Sequence, residues 1–112
     1  YKEIFDFGLP IFKSLKKKTS KYKATQILYI NYLANALDSH LNRKVGKEKA
    51  EIIMKKGLQL KKQMKIFKDN NSLIKEFDFY LKKFHSNPGT CADLTVTTLL
   101  IDKISDIFKL SI

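Results

Sequence analysis

Several residue types are scarce in this chain of 112 residues, and each scarcity excludes a class of protein. A single cysteine, Cys91, leaves no internal disulfide, which fits a reducing compartment, so we expect a cytoplasmic location. That cysteine and two widely separated histidines make no zinc-binding pattern. The longest apolar stretch, 27–37, is too short to span a bilayer and contains two asparagines. The four glycines form no phosphate-binding loop.

Acidic residues are also scarce, since 22 basic residues face 11 acidic ones and the net charge is +11. Such an excess favours polyanionic partners, although a lysine-biased composition would place clusters such as 16–18 on solvated faces without any ligand. All basic residues but Arg43 are lysines. A guanidinium binds phosphate or carboxylate through two parallel hydrogen bonds, which an ammonium cannot do. A structural pair with a carboxylate, or chance, would explain Arg43 equally well.

Apolar residues recur mainly with helical spacing, and no segment alternates convincingly with a period of two. We therefore expect an all-α fold, a compact bundle of about five to six helices in a single domain over residues 1–112. The expected helices are a first one ended by Gly8, a short one near 11–18 begun by Pro10, and longer ones over about 21–44, 47–67, 73–84 and 90–110.

The longer helices are expected to bury one apolar face each. These faces comprise Ala50, Ile53, Gly57, Leu60, Met64 and Phe67, then Leu73, Phe77, Tyr80, Leu81 and Phe84, and finally Leu94, Leu99, Leu100, Ile104, Ile107 and Phe108. The helix over 21–44 also carries a polar stripe of Asn31, Asn35, Asp38 and Asn42. This stripe either bonds to neighbouring helices or lines a site, because unpaired buried polar groups are costly.

Residues 38–46 gather a carboxylate, an imidazole, a guanidinium and an amine beside a glycine. On one continuous helix, Asp38 and His40 would point to nearly opposite sides. They would serve one site only if the helix ended or bent between them. On spacing alone, His40 is more often a surface histidine than a catalytic one.

Residues 87–94 form a turn that opens into the last helix. Thr90 and Asp93 fit a capping box, and this structural interpretation alone explains both residues. The functional interpretation adds a phosphate at the helix start, where backbone N–H groups carry partial positive charge. Capping boxes far outnumber phosphate sites, so the local pattern favours the structural interpretation.

Taken together, residues 38–46 and 87–94 resemble the C-terminal part of the triphosphoribosyl-dephospho-CoA synthase family, and the Asn-Pro-Gly-Thr run at 87–90 is the most specific element. The resemblance implies an all-α transferase that moves the triphosphoribosyl group of ATP onto 3′-dephospho-CoA and releases adenine. It also implies that this chain is the C-terminal fragment of a longer protein, whose N-terminal part would complete the active site.

The resemblance also implies roles for particular residues. Arg43 and Lys44 would meet the triphosphate or the pyrophosphate of dephospho-CoA, while Asn87, Gly89 and Thr90 would bind another phosphate. The carboxylates of Asp38 and Asp93 would act in catalysis, by holding Mg²⁺ or by orienting a ribose hydroxyl. His40 and Asn35 would contact and position these site residues without touching the substrate.

Two alternatives stay open at this point. One is a non-catalytic basic helical module that binds nucleic acid or a protein partner, and the other is a stable fragment without activity. Nucleic acid is the weaker of the two partners, because the basic stretch 13–23 carries no nucleic-acid-binding motif.

Overall fold

Residues 2–83 and 87–108 are described by the computed structural model, and every element within these ranges is helical, which confirms the predicted all-α bundle. A π-helical turn (Ile4–Gly8) leads into α1 (Leu9–Lys16), followed by α2 (Lys21–Asn35), α3 (Ser39–Val45), α4 (Lys47–Gln63), α5 (Asn71–Lys83) and α6 (Gly89–Phe108). Three parts of the predicted structure lie outside the described residues. They are Phe84 at the end of the predicted helix 73–84, residues 85–86 in the predicted break, and 109–112, where the predicted helix 90–110 ends.

The centre of the molecule is α2, which packs against α4 most extensively and also against α6 and α1. Ser20 begins this helix by accepting a hydrogen bond from the Lys23 N–H. Its buried side chains form the middle of the core, where Leu28 and Leu33 are fully enclosed together with Phe12 of α1. The prediction that the stretch 27–37 is central is therefore confirmed for its helical part.

Gly8 does not end a helix, contrary to the prediction, because its backbone is helical and the chain continues into α1. Pro10 lies in the first turn of α1 directly after the π-helical turn, and because the helix is continuous there, the missing Pro10 N–H leaves that turn without one hydrogen-bond donor. A Cβ on Gly8 would overlap the Tyr32 hydroxyl and approach Thr98 Oγ1 to 3.0 Å. Gly8 is thus required for close packing between the first helical segment, α2 and α6.

The predicted helix over 21–44 is wrong, because it is two helices. Ala36 is extended, with φ −155° and ψ 160°, and Asp38 caps a new helix by accepting a hydrogen bond from the Leu41 N–H at 3.0 Å. The polar stripe therefore does not exist as one face. Buried Asn31 donates to the Ile27 carbonyl at 2.7 Å within its own helix, whereas Asn35 and Asn42 are exposed.

The predicted face of α4 is confirmed over most of its length, since Ala50, Ile53, Gly57 and Leu60 are buried. A Cβ on Gly57 would lie 3.0 Å from Leu33 Cδ2, so this glycine lets α4 approach α2 closely. The helix ends at Gln63 rather than near Phe67. The loop that follows buries Met64 and leaves Phe67 exposed, so the placement of Phe67 in the core is corrected.

The predicted face of α6 is largely wrong. Leu94 and Leu99 pack against the core, but four other apolar side chains of this helix are exposed: Leu100, Ile104, Ile107 and Phe108. The buried face is polar instead and consists of Thr95, Thr98, Asp102 and Ser105 together with Cys91. Among residues 2–83 and 87–108, no helix has the length and hydropathy that crossing a bilayer requires.

The buried polar side chains of α6 have partners within the fold, which explains why the hydrophobic pattern misassigned this helix. Asp102 Oδ1 is the exception among the described residues, since it has an ion pair but no hydrogen bond. Thr95 and Thr98 donate to carbonyl oxygens one turn earlier, at 2.7 Å each. The Tyr32 hydroxyl completes the Thr98 pair at 2.7 Å. Asp102 is approached by Lys16 at 2.5 Å and by Lys13 at 3.5 Å from α1.

Candidate functional site

The two sequence clusters meet where α3 and α6 begin. The carboxylate of Asp38 is almost fully buried, and its two oxygens serve two different helices. Oδ1 accepts from the Leu41 N–H at 3.0 Å in α3, and Oδ2 accepts from the Cys91 N–H at 2.8 Å in α6. Because both donors belong to first helical turns, the negative charge also meets the positive ends of both helices. One side chain therefore fixes the two segments to each other.

Neighbouring contacts reinforce this junction. The Thr90 hydroxyl lies 2.7 Å from the Ser39 hydroxyl and accepts a hydrogen bond from the His40 N–H at 3.2 Å. The His40 ring packs on Gly89, where a Cβ would lie only 3.1 Å from the ring. The Thr90 hydroxyl thus serves the start of α3, whereas the capping-box pattern assigned it to its own helix.

The helix break resolves the geometric problem posed by residues 38 and 40. Asp38 precedes α3 and faces α6 through its carboxylate, while His40 lies one residue inside α3 and faces Gly89. Both residues therefore contact the same stretch, 89–91. The sequence predicts that Asp38 and His40 share one site only if the helix over 21–44 ends or bends between them. The break between α2, which ends at Asn35, and α3 meets this condition.

Cys91 lies at the centre of the junction and is buried. Burial, followed by a hydrogen bond to Asp38 and the charge of that carboxylate, raises the pKa of the Cys91 thiol far above its usual range. The thiol is therefore a neutral hydrogen-bonding group and not a nucleophile at neutral pH.

The remaining candidate residues are exposed around this junction. Arg43 and Lys44 occupy the last turn of α3, where positive charge also suits the helix dipole. Asp93 is exposed in α6 and makes no hydrogen bond or ion pair with the described residues. Asn87 is exposed before α6, and Asn35 is exposed at the end of α2. The structure therefore leaves these charged and amide groups open to a ligand.

The backbone groups of the α6 start are more occupied than the sequence suggested. The Gly89 N–H donates to the Asn87 carbonyl at 2.7 Å, and the Ala92 N–H donates to the Pro88 carbonyl at 3.0 Å. The Cys91 N–H is bound to Asp38. Three amide groups of this first turn therefore already have protein acceptors.

A groove of about 620 Å³ runs beside the junction, between α2, α5 and α6. Its walls are mainly apolar and are formed by Ile30, Ile74, Phe77, Leu81, Ala92 and Val96, with Gln26, Tyr29 and Asp78 among its polar members. This volume suits a small organic ligand such as a nucleotide. Ala92 and Thr95 place the groove directly behind the start of α6.

Tyr29 connects the groove with the junction. Burial raises the pKa of the Tyr29 hydroxyl well above its usual range, and the nearby Cys91, Asp38 and Asp78 contribute in the same direction. Tyr29 is therefore a neutral hydroxyl on the groove wall. Sequence reasoning missed it, because a tyrosine in an apolar helix carries no signal beyond burial.

The described residues do not form a ready metal site. No group of three or more His, Cys, Asp or Glu side chains lies together among residues 2–83 and 87–108. Asp38 already accepts two backbone hydrogen bonds, which leaves Asp93 as the accessible carboxylate near the junction.

Comparison with known proteins identifies the family. No curated protein and no solved structure matches the chain. The family model described as ATP:dephospho-CoA triphosphoribosyl transferase (CitG) matches residues 1–111. The match spans both clusters and the helices that join them, so the chain belongs to the ATP:dephospho-CoA triphosphoribosyl transferase family.

Proposed function

We propose that this chain takes part in transferring the triphosphoribosyl group of ATP onto 3′-dephospho-CoA, with release of adenine. Family membership over nearly the whole chain supports the reaction class. The observation that carries the site is the Asp38 carboxylate, which joins the starts of α3 and α6 and so brings residues 38–46 and 87–94 together.

The reaction is a displacement at the ribose C1′ of ATP, in which adenine leaves and a ribose hydroxyl of the acceptor attacks. It requires charge neutralisation and alignment of two anionic substrates more than a protein nucleophile. The exposed side chains of Arg43 and Lys44 neutralise the triphosphate or the acceptor pyrophosphate. The turn formed by Asn87, Gly89 and Thr90 lies against another phosphate, mainly through the exposed Asn87 amide.

The two carboxylates take different parts in this proposal. Asp93 is exposed and unpaired among the described residues, so it orients a ribose hydroxyl or takes one position on a Mg²⁺ ion. Such an ion would neutralise phosphate charge. Asp38 keeps the phosphate-binding segments in register, and the His40 ring on Gly89 supports the same geometry. Asn35 lies exposed at the neighbouring end of α2.

The groove takes the uncharged part of a nucleotide in this proposal. Its apolar walls suit a flat heterocycle, and the side chains of Gln26 and Asp78 offer polar groups to ring nitrogens and amino groups. A triphosphate would not suit this groove, because Lys21 is the one cationic side chain among the described residues that line it.

The test is adenine release from ATP in the presence and absence of dephospho-CoA, with ATP affinity measured in parallel. The Arg43→Lys variant keeps the charge but loses the bidentate fork, so we expect about ten-fold weaker ATP binding with unchanged thermal stability. Lys49→Arg, at an exposed position in α4, is the matched control. Unchanged ATP affinity in Arg43→Lys would remove Arg43 from the site.

The same assay separates the alternatives. ATP binding with selectivity over other triphosphates, but without adenine release, would support a fragment that binds nucleotide without completing the reaction. Binding without such selectivity, and with affinity that falls steeply as salt increases, would support a non-catalytic polyanion-binding module.

A further inference from the structure

The described part of the chain has its positive charge concentrated in two segments that contain no acidic residue. Residues 7–37 contain six lysines, residues 52–68 contain six more, and neither range contains aspartate or glutamate. Two of the first six, Lys13 and Lys16, are ion-paired with carboxylates of α6, and the other four are not ion-paired with any described residue. The fold brings these segments together, because the Thr19 hydroxyl donates to the Ile66 carbonyl at 3.2 Å. The turn after α1 and the loop between α4 and α5 are therefore neighbours.

An exposed aromatic ring stands at this meeting point. Phe67 lies at the turn after α4 with 83% of its surface exposed, the largest exposure among the large apolar residues of the described chain. Lys68 follows it directly, Lys65 lies two positions before it, and the last turn of α4 adds Lys61 and Lys62. Exposed Lys17 and Lys18 belong to the neighbouring turn.

The turn holds Phe67 outward through specific contacts. Buried Asn70 uses its side-chain amide twice on one residue of the loop: its Oδ1 accepts from the Lys65 N–H at 3.1 Å, and its Nδ2 donates to the Lys65 carbonyl at 2.9 Å. Thr19 holds Ile66 from the other side. The exposed ring is thus presented by an ordered turn, which lowers the entropy lost when it binds.

We propose that the Phe67 turn, defined as residues 61–68 with the adjoining Lys17 and Lys18, docks on an anionic membrane surface. The Phe67 ring enters the interfacial layer, while the lysines around it meet acidic headgroups. Charge complementarity identifies the partner, because residues 61–68 with Lys17 and Lys18 contain six lysines and no acid, and exposed Asp69 is the one acidic residue that adjoins them along the chain. Nucleic acid is less suited, because binding of single strands uses several stacking rings and residues 61–68 contain one aromatic residue.

The test is cosedimentation of the full chain with vesicles of phosphatidylcholine alone and with vesicles that also contain phosphatidylserine. We expect binding to the second set only, weakened by salt. Phe67→Ala should reduce the partition coefficient roughly ten-fold, because the inserted apolar surface is lost. Phe79→Ala is the matched control, since Phe79 is an exposed phenylalanine of α5 with Lys83 Nζ 5.3 Å from its ring centroid.

Charge is tested with a second matched pair. Lys68→Glu should weaken vesicle binding by more than five-fold, since each lysine near an anionic surface contributes about that factor and the reversal also adds repulsion. Lys49→Glu makes the same change in net charge near the other end of α4 and should leave binding nearly unchanged. Equal losses in both variants would overturn the proposal, because binding would then follow net charge alone.

Two further outcomes would also overturn it. Equal binding to neutral and anionic vesicles would show that the lysines do not bind acidic headgroups. Loss of oligonucleotide binding in Phe67→Ala, with vesicle binding intact, would assign the turn to nucleic acid. All variants lie at exposed positions outside the proposed catalytic site, so adenine release should stay unchanged and the result is independent of the proposed function.

Discussion

At the scale of single residues, the most consequential side chain is Asp38. A carboxylate with both oxygens bound to backbone N–H groups of two helix starts cannot be replaced by its amide, because an asparagine has only one acceptor oxygen. The family resemblance implies a catalytic role for Asp38, whereas the structure shows that its carboxylate joins the starts of α3 and α6.

We therefore expect Asp38→Asn to destabilise the protein by about 2–3 kcal/mol, since one buried N–H loses its acceptor and a cap is weakened. Urea unfolding monitored by circular dichroism would measure this change. Asp93→Asn, at an exposed position, should stay within about 0.5 kcal/mol of the parent while reducing adenine release. Equal stability of the two variants would contradict the shared-cap interpretation.

The buried thiol gives a second expectation at this scale. Because burial raises the pKa of Cys91, its thiolate is depleted in the folded state at a pH of about 8.5, where a free cysteine is half ionised. Alkylation by iodoacetamide should thus be more than about ten-fold slower in the folded protein than in urea. A similar rate in both conditions would show that the thiol is accessible and ionised in the folded state.

At the scale of helices, α4 and α6 show when a hydrophobic pattern is sufficient to predict which face of a helix is buried. The spacing of Ala50, Ile53, Gly57 and Leu60 predicts the buried face of α4, because the rest of that helix is mostly charged and leaves no alternative. In α6 the apolar side chains surround the helix, so the pattern does not select one face.

Substitutions on the two faces of α6 test this assignment. Leu100→Gln should change the free energy of unfolding by less than about 0.5 kcal/mol, because Leu100 is exposed. Thr98→Val should cost about 1–2 kcal/mol, since the buried Tyr32 hydroxyl loses its partner at 2.7 Å. Thermal and urea unfolding of both variants would measure the difference. A larger loss of stability in Leu100→Gln than in Thr98→Val would show that the apolar face of α6 is the buried one.

Much of the fold and part of the site could be predicted from the sequence, for physical reasons visible in particular residues. A local signal such as Gly46, which ends α3 with φ 90°, acts within a few residues and is readable. The split of the helix over 21–44 depends on Asp38, whose second partner is an amide 53 positions away. The partner of Asp102 is 86 positions away. Such pairs exist only once the chain has folded.

At the scale of the whole molecule, the ion pairs between α1 and α6 connect opposite ends of the chain. The hydrogen bond from Lys16 to Asp102 is the main cause that raises the pKa of Lys16, against the opposing effect of burial, and Asp106 adds to it. The structure thus links α1 and α6 through charge as well as packing.

This pKa shift predicts a loss of stability at alkaline pH. Because the pKa of Lys16 is higher in the folded than in the unfolded chain, its contribution is fully present below about pH 10.4 and disappears as the pH rises through the folded value. Thermal unfolding from about pH 8 to about pH 11 should show this decline, together with the losses that the raised pKa values of Cys91 and Tyr29 cause in the same direction. Lys16→Gln should lower the melting temperature near neutral pH and flatten the decline. Parallel curves for both proteins would contradict the assignment.

The shared cap at Asp38 also links the motions of the two helix starts. A fluctuation that frees the carboxylate exposes the amide protons of Leu41 and Cys91 at the same moment, although 50 positions separate them. These two protons should therefore exchange with deuterium at a common opening free energy. A ligand that settles on either segment would slow exchange at both, because each start is held closed by the same two oxygens.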